Sequence, residues 1–251
     1  MNSQLTVGKV PEVTLLFWII KIAATTLGET GGDAVSMSMD LGYLVGTGIF
    51  AAIFIAAVLA QVSAKTFVPL LYWLTIIATT TVGTTLADFV DRSLGIGYAG
   101  GTSLLIVLLI GSLLLWHKSL GSISVHSVNS PKAECFYWLT IMFSQTLGTS
   151  LGDWIADSAG FGYGGSALIF GTMLVIIATA YFWTKTSRTV LFWSAFIITR
   201  PLGAVVGDFL DKPIAKGGLN LGRYSASAVL VVFILACVLI FRQKPANQVA
   251  L

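Results

Sequence analysis

The sequence predicts an all-α, polytopic membrane protein. Its eight transmembrane helices would come from four parallel two-helix repeats, with the first helices (A) in an inner ring and the second helices (B) in an outer one. Three observations lead there. The 251-residue chain is 56% hydrophobic and only 10% charged, with a mean hydropathy of +0.89, outside the range of ordinary soluble domains. Apolar windows of about 20 residues, enough to cross a hydrocarbon core of ~30 Å, occur eight times. A tryptophan, a glycine and an aspartate recur four times in fixed register.

The predicted spans lie near 12–33, 43–63, 69–88, 98–117, 134–153, 163–183, 189–208 and 224–241. Lys9 ahead of the first apolar run invites a signal-peptide reading, but no small-x-small cleavage site follows it and the same unit returns three times. The first span therefore reads as a mature helix. Cys135 and Cys237 each lie on or beside an apolar span, which gives no disulfide framework and no thiolate metal site. A net charge of +3 with scattered bases provides no basic run for nucleic acid.

Trp18, Trp73, Trp138 and Trp193 are spaced by 55, 65 and 55 residues. Ten residues after them come Gly28, Gly83, Gly148 and Gly203, and five further on Asp33, Asp88, Asp153 and Asp208. Tyr43, Tyr98 and Tyr163 follow the first three aspartates by ten residues, whereas Tyr224 comes six residues late, after KPIAKGGLN. Each unit reads as helix A, G-x-x-x-[GA]-D, a Gly-Tyr loop, then helix B. Two helices per unit return the chain to the side it left, so the repeats are parallel. We take residues 1–251 as one membrane domain with pseudo-repeats 9–65, 66–120, 131–185 and 186–244. Halves 1–120 and 131–251 are related by a shift of 120 residues and joined by a linker at 121–130.

This pattern resembles a bacterial family of integral membrane proteins made of four tandem two-helix repeats, each with a tryptophan. Four W-x9-G-x4-D copies spread over nearly the whole chain carry the resemblance. It implies the eight-helix architecture and a bacterial inner membrane, and it brings no established activity.

Orientation follows from Lys and Arg. Lys9, Lys65, Lys118, Lys132, Lys185, Arg188, Arg242 and Lys244 fall at the termini or between repeats, against Arg92, Lys212, Lys216 and Arg223 in the A-to-B loops. Eight against four places both termini in the cytoplasm. Trp116 and Trp183, near the same ends of B helices, would join an interfacial aromatic belt.

Nine of the eleven acids lie in or beside the G-x-x-x-[GA]-D segments. Steps of four residues back from each aspartate stay near one helix face. They read Glu29, Thr25 and Lys21; Thr84 and Thr80; Thr149 and Gln145; Ala204 and Arg200. Polar columns avoid lipid and face a bundle interior, while B segments such as AAIFIAAVLA are almost wholly apolar. Gly28 and Gly32, with their equivalents, form small-xxx-small pairs for close helix approach. Asp40, Asp91, Asp157 and Asp211 read as solvated loop acids.

Asp33, Asp88, Asp153 and Asp208 with Glu29 thus make an oxygen-rich ring, the expected metal ligands, with Thr84, Thr149, Lys21 and Arg200 completing a substrate path. Such ligands suit Mg²⁺, Ca²⁺, Mn²⁺, Na⁺ or protons; Met37 and Met39 read as packing or loop residues, and a thioether ligand from either would tilt the preference toward Mn²⁺. Either Arg200 pairs with Glu29, or Lys21 with an acid, or the two bases bind an anion together, and Pro201 is expected to kink its helix. No cofactor motif is present. The A helices lack the full GxGD of intramembrane aspartyl proteases, because Thr30, Ser150 and Val205 precede Asp33, Asp153 and Asp208 where the first glycine belongs, and no Ser-His pair lies within a span. The expected function is therefore non-enzymatic cation transport, with lipid and a metal cation or proton as partners. The alternatives are a non-transporting scaffold or regulatory subunit, or a carrier of a small anion. The sequence is silent on oligomeric state.

Overall fold

The protein is described over residues 8–246 from a computed structural model. It is all-helical in its regular structure: α1 Leu15–Asp33, α2 Gly42–Ser63, α3 Pro69–Asp88, α4 Gly97–Leu120, α5 Pro131–Asp153, α6 Gly162–Trp183, α7 Arg188–Asp211 and α8 Arg223–Ile240. Six of these, α2, α3, α4, α6, α7 and α8, are long and apolar enough to cross a membrane. α1 and α5 carry the acids, Gln145 and hydroxyl-rich runs that lower their hydropathy. α7 continues through Pro201 without ending.

Helix starts and stops follow local chemistry. Thr14 caps α1 by accepting from the Phe17 amide, Ser130 caps α5 through the Ala133 amide, and Pro69 and Pro131 open α3 and α5, where a missing N–H costs nothing. After Asp33, Asp88 and Asp153 the backbone widens into single π-helical turns, Ala34–Ser38, Phe89–Ser93 and Trp154–Ser158. The fourth repeat has none there; α7 runs on to Asp211 and leaves through Lys212. The Gly-Tyr signature has a backbone cause. Gly42, Gly97 and Gly162 take φ of +76°, +73° and +63° just before the tyrosine, a conformation that favours glycine.

The odd-numbered helices pack on one another in a closed series: α1 on α3, α3 on α5, α5 on α7, and α7 back on α1. Each even helix packs chiefly on the odd helix of the following repeat: α2 on α3, α4 on α5, α6 on α7, and α8 on α1. A two-helix repeat is thus no self-contained hairpin, and the last repeat completes the first. Burial separates the two sets. The most apolar windows of α3 and α7 are 72% and 67% buried, and those of α2, α4, α6 and α8 between 11% and 33%. In water, apolar side chains left outside would collapse inward; here they remain outside, as lipid allows.

The glycines set the closeness of the odd helices. A Cβ on Gly28 would meet Thr80, one on Gly83 the backbone of Gln145 at 3.0 Å, one on Gly148 the Arg200 side chain, and one on Gly203 Thr25. Each repeat's glycine therefore receives the next repeat's residue at the seventh position after tryptophan, in all four repeats.

At the terminal end of the bundle an aromatic cluster closes the odd helices. The residue before each tryptophan is itself aromatic and packs on the next repeat's tryptophan: Phe17 on Trp73 (5.5 Å between ring centres), Tyr72 on Trp138 (5.7 Å), Tyr137 on Trp193 (6.2 Å) and Phe192 on Trp18 (5.8 Å). The Tyr72 and Tyr137 hydroxyls share a 2.7 Å hydrogen bond. Trp116 packs edge-on against Trp193 and is fully buried. It is therefore a core residue and not the interfacial one expected, whereas Trp183 is exposed. The segments outside the repeats cover this end. Pro11 and Pro245 form an isolated antiparallel bridge flanked by the Ala246 amide donating to the Val10 carbonyl, and Val125 and Val128 from 121–130 are buried in the aromatic cluster.

Candidate functional site

Counting from each tryptophan at −1, +3, +7, +11 and +15 gives five buried layers along the odd helices, a rise of about 24 Å. They are Phe17, Tyr72, Tyr137, Phe192; then Lys21, Ile76, Ile141, Phe196; then Thr25, Thr80, Gln145, Arg200; then Glu29, Thr84, Thr149, Ala204; then the four aspartates. The polar columns read from the sequence all face into the bundle. An i, i+4 stripe drifts about 40° per step on a straight helix, and its burial over five layers goes with the close approach of the odd helices at their glycines.

Layer +11 and its neighbours hold a charged knot made by four helices. The Arg200 Nη2 donates to Glu29 Oε2 at 3.0 Å and to Thr84 Oγ1 at 2.6 Å, and also to Thr149 Oγ1. Thr84 donates to the Gly28 carbonyl and to Glu29. Arg200, Glu29, Thr84 and Thr149 are thus brought together, one from each odd helix, and of the two roles open to Arg200 the structure shows the pairing with Glu29.

The aspartates do not form one open ring. Two cations from the A-to-B loops divide them into pairs. Lys212 Nζ lies 2.8 Å from Asp33 and 2.9 Å from Asp208. Arg92 lies 3.0 Å from Asp88 through Nε and 2.9 Å from Asp153 through Nη2. Each cation sits four residues after its own repeat's aspartate and reaches across to the next repeat's; 92 and 212 differ by the half-repeat shift of 120. The expectation of an unmasked ring of four equivalent acids is corrected: helix ends buried this deeply hold carboxylates only with partners.

The two pairs differ. Around Lys212, Glu29 joins Asp33 and Asp208, and one oxygen from each lies within 4.8 Å of the others, the one cluster of this kind among the described residues. Asp88 and Asp153, expected in the same metal site, are outside it. Arg92 is held by the Tyr98 hydroxyl at 3.1 Å and the Tyr43 hydroxyl at 3.2 Å, which gives two of the recurrent tyrosines a task. Burial works against the Lys212 charge, but Asp33, Asp208 and Asp211 outweigh it and hold the ammonium protonated above the ordinary lysine range.

Some loop residues differ from expectation. Asp91 and Asp211 are buried, not solvated, and Asp211 accepts from Arg223 at 2.6 Å. Arg223 also lies 3.5 Å from Asp33 and donates to the Met37 sulfur. Met39 is exposed, so neither thioether stands as a metal ligand. Lys21 is fully buried, its ammonium 4.1 Å from the Phe196 ring centre and with no hydrogen-bond partner. Sequence reading missed Arg92 and Lys212 as site residues; their common offset from the even-repeat aspartates was the available signal.

Comparison with known proteins agrees with the repeat count. A family model described as a Repeat of Unknown Function (DUF347) matches four times, over 16–67, 71–121, 136–187 and 191–243. No curated protein and no solved structure matches the chain. Matches in tandem across most of its length make the chain a member of that repeat family, as a multi-pass, membrane-type helical protein.

Proposed function

We propose that the protein transports a cation, a divalent metal such as Mn²⁺, and that Glu29, Asp33 and Asp208 are the ligands the ion meets. The observation behind this reading is the seam between α1 and α7, where Asp33 and Asp208 share the Lys212 ammonium and Glu29 brings a third buried carboxylate oxygen within 4.8 Å of theirs. Oxygens around one ion at about 2.1–2.4 Å stand no more than about 4–5 Å apart, and the three carboxylate oxygens lie within that limit, 4.8 Å, of one another. An all-oxygen set suits Mg²⁺, Mn²⁺ or Ca²⁺. Lys212 then acts as a tethered cation, neutralising the site between passages and leaving when the metal enters.

In this reading the odd helices are the inner ring and the even helices the lipid-facing outer ring of one membrane domain. The loop count, eight Lys and Arg at the termini and between repeats against four in the A-to-B loops, supports cytoplasmic termini. The setting is a bacterial inner membrane, the partner is lipid, and no enzymatic step is assigned. A second reading, a non-transporting scaffold, is favoured by one observation: aromatic rings close one end of the bundle and ion pairs the other.

Vesicles reconstituted with the protein and tested with Mn²⁺, Mg²⁺, Ca²⁺, Na⁺ and proton gradients separate the two. Transport predicts divalent flux that falls at least tenfold in Asp33→Asn, Asp208→Asn and Glu29→Gln. No flux for any ion, or flux indifferent to all three substitutions, overturns it.

A further inference from the structure

We infer a second binding site of opposite sign, for a small anion, at the level of Lys21 and Arg200 between the aromatic closure and the acidic end. Charge pairing points there first. Arg92 and Lys212 each serve two aspartates and Arg200 serves Glu29; Lys21, on the same inward stripe, has no carboxylate. It is fully buried and lies within electrostatic reach of Arg200, a like charge. A ring face at 4.1 Å is a weak substitute for an anion.

The surrounding donors point the same way. Arg200 spends one nitrogen, Nη2, on the Glu29 knot, while its Nε and Nη1 have no partner. Gln145 Nε2 and the Thr80 hydroxyl, in the same layer as Arg200, are also buried without a partner. Helix contact brings α1 and α7 together at this height, since Thr25, one turn beyond Lys21, donates to the Thr199 carbonyl at 3.3 Å. Loss of a proton from Lys21 would relieve that one nitrogen and leave the guanidinium as it is. Buried donors in native proteins are nearly always satisfied by protein, water or a bound group, and donors around two positive charges select an anion. The positions related to Lys21 and Arg200 by the 120-residue shift, Ile141 and Thr80, carry no charge, so the site is single and off the pseudo-twofold.

The test is a binding measurement on the purified full-length protein, independent of any flux. Thermal unfolding is followed as chloride, bromide or nitrate replaces gluconate at constant ionic strength. The inference expects a saturable rise in the midpoint with at least one of these anions. Lys21→Met should remove the rise, and Gln145→Leu should weaken it at least threefold in concentration. Lys212→Gln, at the acidic end, should keep it. No saturable response in the wild type overturns the inference and leaves water as the partner of these donors; so does a response that survives both Lys21→Met and Gln145→Leu. Should Lys21→Met fail to fold, Gln145→Leu decides alone.

Discussion

The α1/α7 seam and the α3/α5 seam are the two junctions between the halves of the chain, exchanged by the 120-residue shift, and solve the same problem with different cations. In one, Lys212 bridges Asp33 and Asp208 with Glu29 beside them; in the other, Arg92 bridges Asp88 and Asp153 between two tyrosine hydroxyls. Arginine is planar, permanently charged and fixed by several donors, whereas lysine is a point charge on a flexible stem. The first seam also holds the Arg200–Glu29 pair, where the second has Thr80 and Thr149. We read the arginine seam as a clasp and the lysine seam as the exchangeable site. A near-symmetric scaffold thereby acquires one working side.

The largest effect expected comes from breaking the feature that one seam has and the other lacks. Arg200→Thr leaves Glu29 buried without its cation, a loss of about 3–5 kcal/mol in unfolding free energy. Glu29→Thr combined with Arg200→Thr makes the two seams alike. It should recover stability to within about 1–2 kcal/mol of wild type yet weaken divalent binding at least tenfold. Unfolding curves of the two singles and the double measure the coupling; additive losses would contradict the pairing.

Exchanging the bridging cations is the next test. Arg92→Gln should cost about 2–4 kcal/mol, since it leaves Asp88 and Asp153 facing each other, and a side chain one-third exposed keeps the cost below that of Arg200. Lys212→Gln, whose side chain is 13% exposed, should cost at least as much, since it leaves Asp33 and Asp208 without the cation they share.

Helix spacing sharpens the comparison further, because Gly148 faces Arg200 on the route from one seam to the other. Gly148→Ala and Gly83→Ala should each lose about 1–3 kcal/mol through forced separation of the helices. Gly31→Ala, whose Cβ would meet nothing within 4 Å, should gain up to about 1 kcal/mol by helix propensity.

The smallest effect lies at the other end of the halves. Trp73 donates to the Gln243 side-chain Oε1 and Trp193 to the Ile123 backbone carbonyl, acceptors that differ in kind but stand at positions related by the 120-residue shift. Trp73→Phe and Trp193→Phe should each cost about 1–2 kcal/mol, similar for the two. A difference larger than that would show that the pseudo-twofold does not extend to the terminal end.

The spans, the four copies and the inward columns were legible because period and spacing are local properties: tryptophan, glycine and aspartate keep their offsets in every repeat. The aromatic before each tryptophan was equally legible in principle, as Phe17, Tyr72, Tyr137 and Phe192 stand in register. Arg92 and Lys212 were hidden by being counted as loop bases, and their second partners lie on the next repeat. That pairing depends on which helices are neighbours, as does the packing of each even helix on the following repeat's odd one. Neither is carried by the residues of a single repeat. Trp116 was misplaced for the same reason: its burial is supplied by Trp193, Tyr137 and Phe136, which only the closed series of helices brings to it.

The exchange of Lys212 for a metal is tested most directly by Mn²⁺ titration calorimetry on purified wild type and Lys212→Gln, with Arg92→Gln alongside. If the lysine is a tethered competitor, its removal should tighten Mn²⁺ binding roughly tenfold, about 1.4 kcal/mol, while Arg92→Gln leaves the affinity unchanged. Binding that weakens or stays the same in Lys212→Gln, or that responds only to Arg92→Gln, would contradict the assignment of the α1/α7 seam as the cation site.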